Sequence, residues 1–266
     1  MAPLSEWGSA KPGWLASICI GAIRHGFARG LLKRPLRRVL HDIGDSYDIE
    51  VDGLRMRCHV ADNTVERTVV ERGIAGLDTL ALITEGLRPG DVFVDVGANC
   101  GLFSLVAARK VGPGGRVIAI EPLPEMIDRL RFNIDANKLR NVDVFETAVG
   151  EDRGSITLYI DSAHLGRSCM SPMAGYLPTT VPVDSLSSIV RAAGISRIAA
   201  LKIDIEGHED RALLPFISSM EKSVWPKKIM METLLADRWR TNCMSELAKA
   251  GYRQTWRSKM DILLEI

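Results

Sequence analysis

Much of what would mark a secreted, metal-binding or membrane-spanning chain is missing from these 266 residues. The five cysteines, Cys19, Cys58, Cys100, Cys169 and Cys243, form no Cys-x-x-Cys pair and show no metal-ligand spacing. Their odd number predicts reduced thiols in a cytosolic compartment, each acting as a small buried hydrophobe, and no metal site. The apolar run from Trp14 to Ile23 is about half the roughly 20 residues that a bilayer span requires. Its basic cluster follows the run instead of preceding it, and no small-residue cleavage site stands out, so no signal peptide is expected. Internal repeats and low-complexity tracts are absent as well. A strong charge of either sign is also lacking, since the net value is +1. That charge is uneven: seven basic residues against Glu6 give residues 1–40 a net +6, leaving −5 for the remainder. A mildly acidic body is a poor match for nucleic acid, which needs many phosphate-neutralising contacts.

The chain reads as two parts. Residues 1–45 form a basic and apolar helical appendage, and residues 46–266 form the main domain, with an N-terminal hairpin and an insertion at 151–183. The appendage has two readings. It packs on the domain or pairs two subunits, or it lies peripherally on the inner face of a membrane. In the second case Trp7 and Trp14 sit in the headgroups and the basic run of residues 1–40 lies on anionic lipid.

Within the main domain, Tyr47–Val51 and Leu54–Val60 flank Asp52-Gly53, a hairpin turn signal. Apolar strands are expected at 92–96, 116–121, 142–148, 199–205, 228–232, 252–256 and 261–266. Helices are expected near 77–87, 101–110, 124–137, 184–193, 207–219 and 237–249. Such alternation predicts a doubly wound α/β sheet. The loop joining the last two strands is too short for a crossover helix, so they must be antiparallel. The insertion holds short strands at 155–160 and 179–183 around a polar Gly/Ser/Pro-rich loop, and its length predicts a functional segment.

The segment from Val92 to Ala108 runs from strand to aspartate to glycine turn to helix, an order that brings a nucleotide-like ligand to a helix N-terminus. Asn99 and Leu102 stand where a dinucleotide motif has its second and third glycines, so no room is made for a pyrophosphate. The Gly-Lys-Ser/Thr of a P-loop is absent too. Glu121 ends the next strand, 24 residues beyond Gly97, where a carboxylate can accept both hydroxyls of an unphosphorylated ribose. A tight turn, amide donors for a carboxylate and an acid for a ribose suit S-adenosyl-L-methionine. Gly97 and Gly101 allow close approach, and Asn99 tolerates a left-handed backbone and faces the cofactor.

Asp95-Val-Gly-Ala-Asn99, Glu121-Pro122, Ala148-Val-Gly150, Val181-Pro-Val-Asp184 and above all Lys202-Ile-Asp204-Ile-Glu206-Gly-His208-Glu209 resemble FkbM-type S-adenosylmethionine-dependent methyltransferases. The resemblance runs from about Arg88 to the C-terminus. It implies the class I methyltransferase (Rossmann-like) fold, a mostly parallel seven-stranded sheet with an antiparallel last strand. It also implies methyl transfer to an oxygen, commonly a hydroxyl of a sugar, polysaccharide or polyketide. Asp95 would then orient the glycine loop or receive the cofactor's ammonium, and adenine would rest on Thr147 and Ala148 near Glu146. Lys259-Met-Asp261 departs from the family, which often has an asparagine before its last strand.

On a strand, Lys202, Asp204 and Glu206 share one face while Ile203 and Ile205 pack on the other. Strand ends are where such sheets bind ligands, so Asp204 and Glu206 are expected beside the reacting methyl. His208 and Glu209 open the following helix, and Glu232 reaches the same rim. Asp204 is the expected base or orienting group for the acceptor hydroxyl, and His208 the alternative base. Glu206 and Glu232 bind neighbouring hydroxyls. Lys202 and Asp204 have a second reading, as a buried pair that merely orders the sheet. His164, Arg167, Ser168 and Tyr176 of the insertion are expected in an acceptor lid. No [DN]-P-P-[YFW] tetrapeptide is present, which disfavours amino-group methylation of a base. The competing function is a non-catalytic binding or scaffold protein at a membrane surface.

Overall fold

The computed structural model describes residues 6–25, 33–74, 77–161, 168–169 and 175–266. Two helices, α1 (Trp14–Arg24) and α2 (Lys33–Ile43), lead into the hairpin β1 (Ser46–Val51) and β2 (Leu54–His59). Val51 pairs directly with Leu54, and Asp52 and Gly53 both have positive φ (51° and 72°), as a two-residue hairpin turn requires. Helices α3 (Thr64–Arg72) and α4 (Asp78–Thr84) follow.

The main fold then alternates β3 (Val92–Val96), α5 (Leu102–Val111), β4 (Arg116–Ile120), α6 (Pro124–Ala136) and β5 (Val142–Phe145). An excursion through β6 (Ala148–Gly150), β7 (Gly154–Asp161), β8 (Ser168–Cys169) and β9 (Tyr176–Ser185) forms a separate sheet in the order β6-β9-β7-β8. The chain returns through α7 (Leu186–Ala192), β10 (Ala200–Ile203), α8 (Glu209–Ser219), β11 (Lys228–Glu232), α9 (Cys243–Ala250), β12 (Arg253–Arg257) and β13 (Asp261–Glu265). The seven-stranded sheet has the order β12-β13-β11-β10-β3-β4-β5, parallel except for β13, which lies antiparallel between β11 and β12. The expected doubly wound sheet and its antiparallel last strand are thus present.

Both faces of this sheet are covered, which is why its central strands read as continuous apolar runs. Val94, Val96, Leu201 and Ile203 pack with Phe216 of α8 on one face, while Phe93 and Ala200 pack with Ala107 and Ala108 of α5 on the other. Asp95 and Lys202 are cross-strand neighbours on the α5 face, so two charged side chains meet inside the sheet.

Several boundaries differ from the expected ones for local reasons. The expected strand 142–148 breaks because Thr147 N donates to Phe145 O at 3.0 Å, turning the chain out of the main sheet. The expected strand 199–205 ends at Ile203, and the helix expected over 237–249 starts only at Cys243, where Asn242 caps it through Ser245 N. Helix α3 has no counterpart among the expected elements. It rests on Asn63, whose side chain accepts from Val65 N and Glu66 N, and on Arg129 of α6, which reaches Asp62 and Glu66 at 2.7 Å each.

Helix α1 packs on the domain through Ala16, Cys19, Ile20 and Ile23, a spacing that makes one apolar face. These join Leu40, Tyr47, Met56 and Leu105 in a single buried cluster. No helix among the described residues is long and apolar enough to cross a membrane. Ahead of α1, buried Asp48 accepts from Gly8 N at 2.6 Å and Ala10 N at 3.0 Å, and it holds Arg57 Nε at 2.7 Å. Burial pushes the Asp48 pKa up, but Arg57 and the two amides outweigh it, leaving it below the ordinary aspartate value.

Breaking this buried pair leaves Arg57 uncompensated, so Asp48→Ala should lower stability by about 3–5 kcal/mol at neutral pH. A carboxylate with a depressed pKa stabilises fully above its unfolded value of about 4 and loses that contribution as pH falls through the folded value. The gap between wild type and variant should therefore narrow in acid. Urea unfolding at both pH values checks this, and a difference under about 1 kcal/mol at pH 7 would show that the pair contributes no more than an exposed one.

Candidate active site

A cavity of about 410 Å³ opens at the carboxyl ends of β3, β4 and β10, where the glycine turn after β3 meets the turn after β10. The first turn is fixed by the neighbouring strand: Gly97 N and Ala98 N both donate to Ile120 O at 3.0 Å. Gly97 has φ 75°, and a Cβ there would lie 2.1 Å from the Asp204 carbonyl oxygen, so the two turns touch backbone to backbone. Asn99 takes the left-handed conformation expected of it, at φ 52°. Its side chain is engaged elsewhere, with Oδ1 accepting from Asn63 Nδ2 at 2.7 Å and Cys100 N at 2.8 Å.

Beneath the turn lies Lys202. Its ammonium donates to Gly97 O at 2.6 Å and stands 3.7 Å from Asp95 and 3.8 Å from Asp204. Burial would push this lysine's pKa down, but Asp204, Asp95, Glu121 and Glu232 together hold it above the ordinary value. Asp95 is fully buried and accepts from Ser104 Oγ at 2.6 Å, while its Oδ1 has no hydrogen-bond donor. Burial raises the Asp95 pKa despite the opposing pull of Lys202.

Glu121 reaches the cavity from the end of β4. Oε2 accepts from Asn99 N at 2.8 Å and Oε1 from Leu123 N at 3.1 Å, which leaves each oxygen a further lone pair. Burial pushes its pKa up to about 7. A carboxylate with one open acceptor position on each oxygen fits a vicinal diol. Pro122, Thr147 and Ala148 continue the wall beside it, and Val65 of α3 closes the far side.

The turn after β10 does not keep strand alternation. Glu206 has φ 57° and Gly207 φ 89°, because buried Glu209 folds back to accept from Ile205 N at 3.0 Å and Gly207 N at 3.2 Å. Asp204 and Glu206 therefore reach the cavity from a tight turn, not from one face of a strand as the spacing implied. Backbone strain of this kind is concentrated at functional sites. Asp204 is the open member of the group, its side chain 44% exposed. Glu232 does not line the cavity. Its Oε2 is buried without a hydrogen-bond partner, and burial with the neighbouring acids Asp204, Glu206 and Glu209 pushes its pKa up to about 9.

His208 occupies the N-cap position of α8, without a side-chain capping bond, and lines the cavity. An unperturbed imidazole would suit a base at neutral pH. Burial and the guanidinium of Arg211, with Arg238 and Arg240, instead push the His208 pKa down to about 4. Of the expected cofactor residues, Asp95 and Gly101 lie outside the wall. A Cβ on Gly101 would come within 2.4 Å of Leu130 Cδ1, so its role is to let α5 and α6 pack.

The strands β7 and β9 supply Ile156, Leu158 and Val183 to the cavity, while His164 and Arg167 of the expected lid lie outside the described residues. Of the other two, Ser168 falls in β8 and Tyr176 opens β9, and Tyr176 is not part of the wall. Asn63, Arg211 and Arg240 went unread in the sequence. Asn63 had a signal, because Asn-x-x-Glu is a helix-start pattern; the two arginines had none.

A family model described as Methyltransferase FkbM domain matches residues 95–253. The 31-O-demethyl-FK506 methyltransferase FkbM of Streptomyces tacrolimicus is 31% identical over 171 residues, which cover 53% of this chain and 64% of that protein. A probable cobalt-precorrin-6B C(15)-methyltransferase (decarboxylating) of Sulfolobus acidocaldarius is 32% identical over 125 residues, 47% of this chain and 61% of that protein. The methyltransferase sdnD of Sordaria araneosa is 27% identical over 173 residues, 53% and 65% respectively. The chain spans less than two thirds of the length of each of these relatives.

Glu121 and Glu232 have folded pKa values above their unfolded value of 4.5, so the folded state binds more protons between that value and about 7 or 9. Stability should fall as pH rises through this window. Glu232→Gln, which mimics the protonated acid, should match wild type at about pH 5 and exceed it at about pH 9. Urea midpoints at both pH values check this, and identical midpoints at pH 9 would show that Glu232 is ionised in the folded chain.

Proposed function

This chain belongs to the FkbM methyltransferase family, and from that premise we propose that it transfers a methyl group from S-adenosyl-L-methionine to a hydroxyl oxygen of a sugar, glycan or related natural product. The observation that carries the reading is Asp204, an accessible carboxylate at the cavity wall beside the buried Lys202 ammonium. When bound, the cofactor supplies a sulfonium methyl already activated for transfer to a nucleophile.

The chain's own residues hold and orient. Glu121 accepts the two ribose hydroxyls on its remaining lone pairs. Pro122, Thr147 and Ala148 bound the adenine, and the turn from Gly97 to Gly101 carries the amino-acid end, with Asp95 acting from below through Lys202. Asp204, 3.8 Å from the Lys202 ammonium, accepts the acceptor's hydroxyl proton. Glu232, its pKa raised to about 9 by burial and the neighbouring acids, adds no second negative charge beside Asp204 at neutral pH. Glu206 binds a neighbouring hydroxyl. A raised oxygen nucleophilicity and a fixed approach are the contributions such a site makes.

A second reading concerns where the reaction takes place. Trp14 is 76% and Ile18 60% exposed on the outer face of α1, beside exposed Leu15 and the basic α2. Those features favour a peripheral seat on an anionic lipid surface at the cytoplasmic face. Trp7 does not join them, because the Arg55 guanidinium covers its ring at 4.6 Å. Arg24 and Arg37 are engaged too, with the Val70 carbonyl and Glu71, which leaves Arg34 and Arg38 without an acidic partner among the described residues.

Asp204→Asn should lower turnover by about 10²–10⁴-fold, as loss of a general base does, while His208→Ala keeps turnover within about tenfold. Labelled-methyl transfer into fractionated glycans, with S-adenosylhomocysteine affinity as the folding control, reads both; the reverse order would make His208 the base. For the second reading, co-sedimentation with phosphatidylglycerol vesicles should drop at least about tenfold in Trp14→Ser/Ile18→Ser. Equal pelleting of that variant and wild type would sink it.

A further inference from the structure

The cavity has a basic pole that the methyl-transfer reading does not use. His208 and Arg211 stand three residues apart at the start of α8, so their side chains share one face, and both line the cavity. Arg240 joins them from the loop ahead of α9, its backbone N held by Asp210 Oδ2 at 2.8 Å. Arg238 lies behind, donating to Glu206 O at 3.4 Å.

These cations are under-compensated. Arg211 has no carboxylate within 4.0 Å among the described residues, and its Nε is buried with no acceptor. The buried His208 Nδ1 lacks a partner as well. The Arg240 guanidinium pairs with Glu151 at 3.4 Å in an exposed pair. Asp210 directs one oxygen to the amides of Arg240 and Thr241, while its other oxygen meets no donor. Burial is the main cause of the depressed His208 pKa, and Arg211, Arg238 and Arg240 add to it against the opposing pull of Asp210. Donors left unsatisfied inside a cavity are costly unless a ligand completes them.

We propose that the acceptor carries an oxyanion, a carboxylate or phosphoryl group, which seats against Arg211, Arg240 and His208 while its hydroxyl meets Asp204. The proposal rests on the methyl-transfer reading and narrows its substrate class. A guanidinium offers paired donors matched to two oxygens of one anion, and a neutral imidazole adds another donor. The acidic pole formed by Asp204 and Glu206 repels the same oxyanion, so the two poles together set which end of the acceptor approaches the methyl.

Inorganic sulfate is the probe, titrated into the full chain with and without S-adenosylhomocysteine at constant ionic strength. Calorimetry and the ring resonances of His208 follow binding, and acetate run alongside separates tetrahedral from planar oxyanions. A saturable site that shifts His208 and coexists with S-adenosylhomocysteine is expected. Arg211→Gln should weaken sulfate at least about tenfold and Arg211→Lys much less, with S-adenosylhomocysteine affinity within about twofold of wild type in both. No saturable binding of either anion, or binding indifferent to Arg211→Gln, overturns the proposal. So does an equal loss of S-adenosylhomocysteine affinity, which would assign the arginines to the cofactor. Failure of wild type to bind S-adenosylhomocysteine would overturn the methyl-transfer reading itself, and the acceptor assignment with it, whatever sulfate does.

Discussion

A single buried ammonium organises the centre of this molecule. Lys202 sits within the sheet, next to Asp95 in register, and its Nζ donates upward to the carbonyl of Gly97. An isolated cation there would be prohibitive, so the surrounding carboxylates are required, and each is placed by a different element. Asp95 comes from β3, Glu121 from the end of β4, Asp204 from the turn after β10 and Glu232 from the end of β11. The charge balance therefore joins four adjacent strand ends, and it does so where the glycine turn must be held to shape a ligand site. The contact of Gly97 with the Asp204 carbonyl belongs to the same arrangement, since it leaves no space for the two turns to separate or to carry a side chain between them.

What could be read from the residues was mainly what depends on burial and on turns. Strands covered on both faces appear as runs such as Val92–Val94 and Val117–Ile120, and Asp52-Gly53 and Asn99 announce positive φ. Glu121 was legible because a strand-end acid at that spacing has few other uses. What escaped depends on tertiary contacts. Nothing local says that Glu209 will fold back onto Ile205 N, yet that bond ends β10 early and re-aims Asp204 and Glu206. Glu232 has the residue type of a substrate ligand, but it is buried behind the cavity wall, where its surroundings push its pKa up to about 9. His208 is likewise altered by neighbours up to 32 residues away in the chain. Short α3 carried too weak a periodicity to be recognised, because its stability comes from Asn63 and Arg129 more than from an apolar stripe.

The cavity wall draws on segments of different character. The glycine turn, Glu121 and the turn after β10 form the tightly hydrogen-bonded half of the wall, and both halves lie within the span that matches the FkbM domain apart from Val65. The opposite half comes from β6, β7 and β9 of the second sheet and from the arginines near α8 and α9. A hydrogen-bonded half at the strand ends, facing a half built from a second sheet, is a division suited to one chemistry with many acceptors.

The position of β13 has a consequence for how the molecule forms. It enters antiparallel between β11 and β12, and β12 pairs with no other strand of the main sheet. Residues 253–257 precede residues 261–265, the strand they pair with among the described residues, so they have no strand to dock on until those follow. The parallel strands can pair as each is made, whereas this edge closes as a hairpin only once residues 261–265 follow. Until it does, β11 presents the open hydrogen-bonding row that other chains would otherwise find.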